Sequence, residues 1–150
     1  EAFVGACRYT PEGYRSAGPT RAMLIHGADY IAKANDAVVT LAMIETREAL
    51  ENVTDIVATP GLTGIYVGPS DLSLSLGYGP GMDHTKPEMV AAIMQIRDAC
   101  KAAGIKIGIH CGSTEYARKM IAEGFDLTTI SSDLRAYAAA MGQITTEMRA

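Results

Sequence analysis

Residues 64–73 read GIYVGPSDLS. Gly64-Ile65-Tyr66-Val67 is a short apolar run rich in strand-forming residues, and Gly68-Pro69 stops it. A carboxylate, Asp71, follows almost at once. The text on either side repeats this plan. Upstream, Ala37 to Ile44 is a continuous apolar, β-branched run, which predicts a strand buried on both faces. Between the two runs, Thr46 to Val57 places Leu50, Val53 and Ile56-Val57 on one side of a helix and Arg47, Glu48 and Glu51 on the other. Pro60-Gly61 then makes a turn.

Downstream, Lys86 to Ala103 is an amphipathic helix with Pro87 in its first turn and Gly104 just past its end. Ile105 to Ile109 predicts the third strand, Ser113 to Glu123 a helix stopped by Gly124, Leu127 to Ile130 the fourth strand, and Asp133 to Met148 a final Ala-rich helix. The first third is less regular. A helix tail opens the chain, a turn-rich segment runs from Arg8 to Thr20, and Arg21 to Asn35 has helical potential broken at Gly27.

Strands that alternate with helices predict an α/β fold with a parallel sheet and right-handed crossovers. Such sheets bind ligands at the carboxyl ends of their strands, in a barrel or in an open doubly wound sheet. Four β-α units are half of an eight-fold barrel, whose usual length is about 250 residues. The chain opens Glu-Ala-Phe without Met. The expectation is therefore that residues 1–150 form the C-terminal part of a single TIM-barrel domain.

Composition removes several function classes. The net charge is −4, and the longest basic run is Arg118-Lys119, so no Lys/Arg face for nucleic acid is expected. No apolar stretch approaches the ~20 residues that span a bilayer. Cys7, Cys100 and Cys111 are odd in number and lack CxxC spacing, which predicts reduced thiols in a cytoplasmic protein and no disulfide or zinc framework.

The acids at the strand ends carry the chemistry. The first strand runs into Glu45 and the second into Asp71. Neighbouring strands lie about 4.8 Å apart, so two carboxylates leaving one edge can converge on a hard divalent cation. The ordinary alternatives are local: Ser70 or Asp71 caps the helix that follows, and Glu45 sits in a helix first turn, favoured by the dipole.

The two segments MIETREALEN (43–52) and GIYVGPSDLS (64–73) closely resemble the HpcH/HpaI aldolase family, the class II pyruvate aldolases. Upstream, RYTPEGYRSAGP (8–19) is similar to the family's Arg-Tyr-Pro-Pro-x-Gly-x-Arg-x-x-Gly loop, with Thr10 in place of the first Pro. The resemblance implies a (β/α)8 barrel of the phosphoenolpyruvate/pyruvate type. It implies that Glu45 and Asp71 are ligands of Mg²⁺, Mn²⁺ or Co²⁺, and that Gly68, Pro69 and Ser70 line the pocket for the pyruvate carboxylate. The implied reaction cleaves a 4-hydroxy-2-oxo acid to pyruvate and an aldehyde, with the metal as Lewis acid for the enolate, in the catabolism of aromatic or sugar acids. The family's base histidine and its enolate-stabilising arginine come from early strands, upstream of this chain. The resemblance further implies a homo-oligomer, hexameric in the full-length parent, with Ala136 to Met148 as the helix packed against a neighbour. The alternatives are a citrate lyase/malyl-CoA lyase-like enzyme, and a non-catalytic half-barrel whose open edges only assemble.

The remaining candidates have modest readings. His26 lies in a Gly-interrupted helical stretch and His84 in the loop 79–85. His110 ends the third strand, as a structural histidine or pocket wall. Cys111 beside it suggests a Cys/His nucleophile, but adjacent strand residues point to opposite faces. Ser113 and Ser132-Asp133 are expected to cap helices.

Overall fold

The computed structural model describes residues 1–149. The elements follow as α1 (Ala2–Cys7), α2 (Thr20–His26), α3 (Tyr30–Ala37), β1 (Leu41–Ile44), α4 (Arg47–Glu51), α5 (Val53–Val57), β2 (Gly64–Val67), α6 (Pro69–Leu76), α7 (Pro87–Ala103), β3 (Lys106–Cys111), α8 (Thr114–Ala122), β4 (Leu127–Ile130) and α9 (Asp133–Arg149). The four strands form one sheet in the order β1-β2-β3-β4, and every pair is parallel. This is the β-α alternation expected of a partial barrel.

One face of the sheet is the core. Ile44, Ile65, Val67, Ile107, Ile109 and Cys111 alternate onto it, and α5, α7 and α8 cover it. From α7 come Met89, Ile93, Ile96 and Cys100, all fully buried, and α8 adds Tyr116, Ala117 and Met120. Fully burying an aliphatic side chain of this size stabilises by about 1.5–3 kcal/mol, so this layer holds the sheet flat against its helices. The opposite face carries Met43, Tyr66, His110 and Thr129, none of them buried. That face is where a barrel has its interior.

Two expectations change. The first strand does not begin at Ala37, because α3 runs to Ala37 and β1 starts only at Leu41. Nor is it buried on both faces, since Val39 is 64% and Met43 51% exposed. An unbroken apolar run carries no period, and β1 is an edge strand covered by helices on one side only. The lead-in is held by a reciprocal threonine pair: each of Thr40 and Thr63 donates its N–H to the other's Oγ1 at 3.0 Å. The helix expected over 46–57 is interrupted at Asn52 (φ −97°, ψ 12°), whose side-chain amide donates to the Glu48 carbonyl at 2.8 Å. An Asn that bonds its own preceding turn competes with helix propagation.

The RYTPEGYRSAGP segment is structural and distant from the carboxyl edge. Arg8 donates to the carbonyls of Asn35 (2.8 Å) and Gly61 (3.2 Å), which precede β1 and β2. The Asn35 side chain accepts from Tyr9 N–H at 2.7 Å and donates back to Tyr9 O at 3.0 Å. Among the described residues, α9 buries no side chain, and its apolar positions Leu134, Tyr137, Met141, Ile144 and Met148 form an exposed stripe. No helix of the described residues is long and apolar enough to cross a membrane.

Candidate active site

The strand register builds the site row by row. Ile44 pairs with Val67, Val67 with Ile109, and Ile109 with Thr128. One step further along, Glu45, Gly68, His110 and Thr129 therefore stand side by side at the carboxyl edge. Gly68 continues the ladder by donating its N–H to the Ile44 carbonyl at 3.2 Å.

Neither acid caps a helix, and of the two only Asp71 stands in a helix first turn, where the dipole favours it. Thr46, not Glu45, is the N-cap of α4, its Oγ1 accepting from Ala49 N–H at 3.1 Å. Glu45 lies outside the helix, half-buried. The N-cap of α6 is Gly68, with Pro69 in the first turn, and no side chain caps it. Asp71 is in that first turn and exposed. Among the described residues, no cation and no hydrogen-bond donor is bonded to either carboxylate. Arg47, the nearest arginine in sequence, is turned to the far end of α6, where it donates to Leu76 O at 3.3 Å.

Gly68 sets the position of Glu45. A Cβ on Gly68 would stand 3.0 Å from Glu45 Oε2 and 3.2 Å from Met43 Cε. The bare backbone thus lets the carboxylate lie across the mouth of β2. Beside it a pocket of about 280 Å³ is lined by Met43, Tyr66, Gly68, Pro69, Ser70, Asp71, Met82 and His110. Among the described residues, the N–H groups of Ser70 and Asp71 find no acceptor, as expected for the first turn of a helix. They leave two donors and the positive end of the α6 dipole at the pocket, an arrangement suited to a carboxylate ligand.

The donor set suits a hard cation. Glu45 and Asp71 would supply carboxylate oxygens, and no group of three or more His, Cys, Asp or Glu that could hold a metal occurs among the described residues. Two protein carboxylates with open positions for water and substrate are the usual provision for Mg²⁺. Gly68, Pro69 and Ser70 are among the residues that line this pocket.

The histidines separate. His26 stacks on Tyr30 with ring centroids 5.7 Å apart, on helices that precede β1. His84 Nε2 bonds the Pro69 carbonyl at 3.2 Å, and Asp83 accepts from Gly112 N–H at 2.7 Å. Together they pin the loop that carries Met82 over the pocket. His110 reaches the pocket itself. Cys111 is fully buried on the opposite face, and desolvation first, then the Asp83 charge, pushes its thiol up to about 11. A neutral, buried thiol removes the Cys/His nucleophile reading. Ser113 and Ser132 are the expected caps, accepting from Tyr116 N–H (3.1 Å) and Arg135 N–H (3.3 Å).

Sequence reasoning missed one group. Tyr66 and His110 both bond the Thr129 hydroxyl, His110 through Nδ1 at 2.7 Å. The signal was a tyrosine and a glycine at matching positions of β2 and β3. A Cβ on Gly108 would meet Tyr66 Cδ2 at 3.1 Å, so the bare glycine gives the ring room to cross β3 toward β4.

The sequence model of the HpcH/HpaI aldolase/citrate lyase family matches residues 1–140. The chain belongs to this family. Hydroxypyruvate/pyruvate aldolase from Rhizorhabdus wittichii is 45% identical over 150 residues, covering all of this chain and 60% of that protein. The 4-hydroxy-2-oxo-heptane-1,7-dioate aldolase of Shigella sonnei is 37% identical, covering 97% of this chain and 59% of the relative. The crystal structure of a family member from Burkholderia cenocepacia J2315 superposes with a TM-score of 0.83 at 31% identity, over 98% of this chain and 59% of that one. The chain thus spans about three-fifths of the length of these relatives. Its four parallel strands are part of the family's TIM-barrel fold.

Proposed function

We propose that this chain carries the metal- and pyruvate-binding half of a divalent-metal-dependent, cytoplasmic aldolase that cleaves a 4-hydroxy-2-oxo acid to pyruvate and an aldehyde. The observation that carries this reading is the pair of unpartnered carboxylates, Glu45 and Asp71, beside free N–H groups at one strand edge. Relatives whose names specify pyruvate, hydroxypyruvate and 4-hydroxy-2-oxo-heptane-1,7-dioate support the substrate class.

Glu45 and Asp71 would hold Mg²⁺, Mn²⁺ or Co²⁺. Such a cation supplies Lewis-acid stabilisation of the charge that develops on the keto oxygen as the carbon–carbon bond breaks. The chain's own groups orient the substrate. The Ser70 and Asp71 N–H groups and the α6 dipole bind its carboxylate. Gly68, lacking a side chain, leaves room for ligand and Glu45 on one backbone. Met43 and Met82 line the wall with apolar surface. The base for the 4-hydroxyl proton and the enolate-stabilising arginine are assigned, by family resemblance, to strands outside this chain. The exposed apolar stripe of α9 is assigned to packing against a second copy.

A pyruvate-release assay coupled to lactate dehydrogenase tests this. The protein at its natural length, stripped with EDTA, should recover turnover of a 4-hydroxy-2-oxo acid with Mg²⁺, Mn²⁺ or Co²⁺. The isolated 150 residues should show little. EDTA-insensitive turnover would refute the metal role. Cleavage of an acyl-CoA thioester in its place would favour the citrate lyase-like alternative, which the absence of Lys and Arg from the described pocket lining disfavours. Metal-independent association with neither activity would leave only assembly.

A further inference from the structure

His110 stands in one row with Glu45 and Gly68, one strand beyond Gly68 on β3. It lines the same pocket as Ser70 and Asp71. Its Nδ1 is committed to Thr129 Oγ1, and Tyr66 bonds the same hydroxyl from the other side. A threonine hydroxyl can donate one bond while accepting another, so one oxygen satisfies both partners. With Nδ1 engaged, the ring cannot flip without breaking a bond. Its other nitrogen, Nε2, has no partner among the described residues. Gly108, lacking a side chain, leaves Tyr66 room to lie across β3 and reach this network. A histidine held in this way, with one nitrogen unused in a ligand-sized pocket, is built to recognise a hydrogen-bonding group.

The position of that group follows from strand spacing. If the substrate carboxylate sits on the Ser70 and Asp71 N–H groups at the end of β2, His110 is one strand away, about 4.8 Å. An extended three-carbon 2-oxo acid covers that distance between a carboxylate oxygen and a hydroxyl oxygen on C3. On the β1 side the pocket lining is Met43, which can bond no hydroxyl strongly, and the Glu45 carboxylate beside it is assigned to the cation.

We infer that His110, oriented by Thr129 and Tyr66, is a specificity-determining residue that hydrogen-bonds a hydroxyl on C3 of the 2-oxo acid, so that the site prefers a hydroxylated donor of the hydroxypyruvate type to pyruvate. This rests on the aldolase reading above. His110 touches the substrate. Thr129 and Tyr66 are positioning residues that act through it.

The test uses the natural-length, Mg²⁺-loaded protein and the variants His110→Phe and Thr129→Val, with circular dichroism to establish folding. Calorimetry gives the Kd of hydroxypyruvate and of pyruvate. Aldol addition to one common acceptor aldehyde gives KM for each donor. Losing one hydrogen bond should weaken hydroxypyruvate about 5- to 10-fold in Kd and KM in both variants. Pyruvate should stay within about twofold, a selectivity that a merely structural role would not produce. His110→Gln, which retains an N–H donor near the place of Nε2, should restore part of the preference. If wild type binds and uses both acids but their ratio is unchanged in both variants, this inference is overturned and the aldolase reading stands. If wild type neither binds nor uses either acid, the aldolase reading fails and this inference with it.

Discussion

Replacing Gly68 by alanine presses on the side chains of Glu45 and Met43. Gly68 has φ −95° and ψ 85°, so an alanine meets no left-handed backbone strain. Its Cβ would stand 3.0 Å from Glu45 Oε2, 3.1 Å from Glu45 Cβ and 3.2 Å from Met43 Cε. Unstrained contacts lie nearer roughly 3.5–4.0 Å, so the Glu45 side chain must retreat by a few tenths of an ångström. Metal–ligand distances tolerate only about 0.2 Å. The retreat therefore exceeds what a cation would accept from Glu45 as one of its two proposed protein ligands. By analogy with groups that orient ligands, metal affinity should fall about 10- to 100-fold. Stability should change by less than about 1 kcal/mol, because alanine also restricts the unfolded chain. Manganese titration of the natural-length protein followed by electron paramagnetic resonance reads the affinity, and a thermal melt reads the stability. A Kd within twofold of wild type at unchanged Tm would refute the reasoning.

Other expectations follow from the core and its titrating groups. Ile93→Ala removes a fully buried side chain of α7 facing the sheet, and urea denaturation should show a loss of about 2–5 kcal/mol; a loss below 1 kcal/mol would mean that α7 is not seated on the sheet. Burial raises the thiols of Cys100 and Cys111 to about 11, with Asp126 and Asp83 respectively adding to the effect. At pH 8 only about a thousandth of each is thiolate, so iodoacetamide should label the partly exposed Cys7 in the native protein and all three in urea. Native labelling of Cys111 as fast as Cys7 would contradict this. The hydrogen bond from Lys106 Nζ (2.8 Å), then that from Ile107 N–H (3.1 Å), holds the Asp126 carboxyl below its ordinary value. A depressed folded-state value means stability that is present above the unfolded value of about 3.9 and lost as pH falls through the folded one. The urea midpoints of wild type and Asp126→Asn should therefore differ near neutrality, by well under 1 kcal/mol for so exposed a pair, and converge in acid.

The layers of the fold were legible where a period or a stop was written locally. β2 ends at Gly68-Pro69, and α7 has Pro87 at its start and Gly104 at its end, both as expected. β1 was overextended because Ala37 to Ile44 is uniformly apolar, and a run without a period does not say where α3 stops. The break at Asn52 depends on one side-chain bond to Glu48, which propensity over a whole window averages away. Glu45 and Asp71 were legible as acids at the carboxyl ends of neighbouring strands, Glu45 directly after β1 and Asp71 in the first turn of α6. The Tyr66–Thr129–His110 group was not. It joins three strands through Gly108, and only the register reveals that Glu45, Gly68, His110 and Thr129 share one row.

The central claim is that Glu45 and Asp71 hold one divalent cation against a 2-oxo acid. Calorimetric titration of the metal-free, natural-length protein with Mn²⁺, with and without pyruvate, tests it directly. The account predicts one cation per chain, bound more tightly when pyruvate is present, and no measurable binding in the Glu45→Gln, Asp71→Asn double variant with its fold intact. Undiminished Mn²⁺ binding by that folded double variant would contradict it.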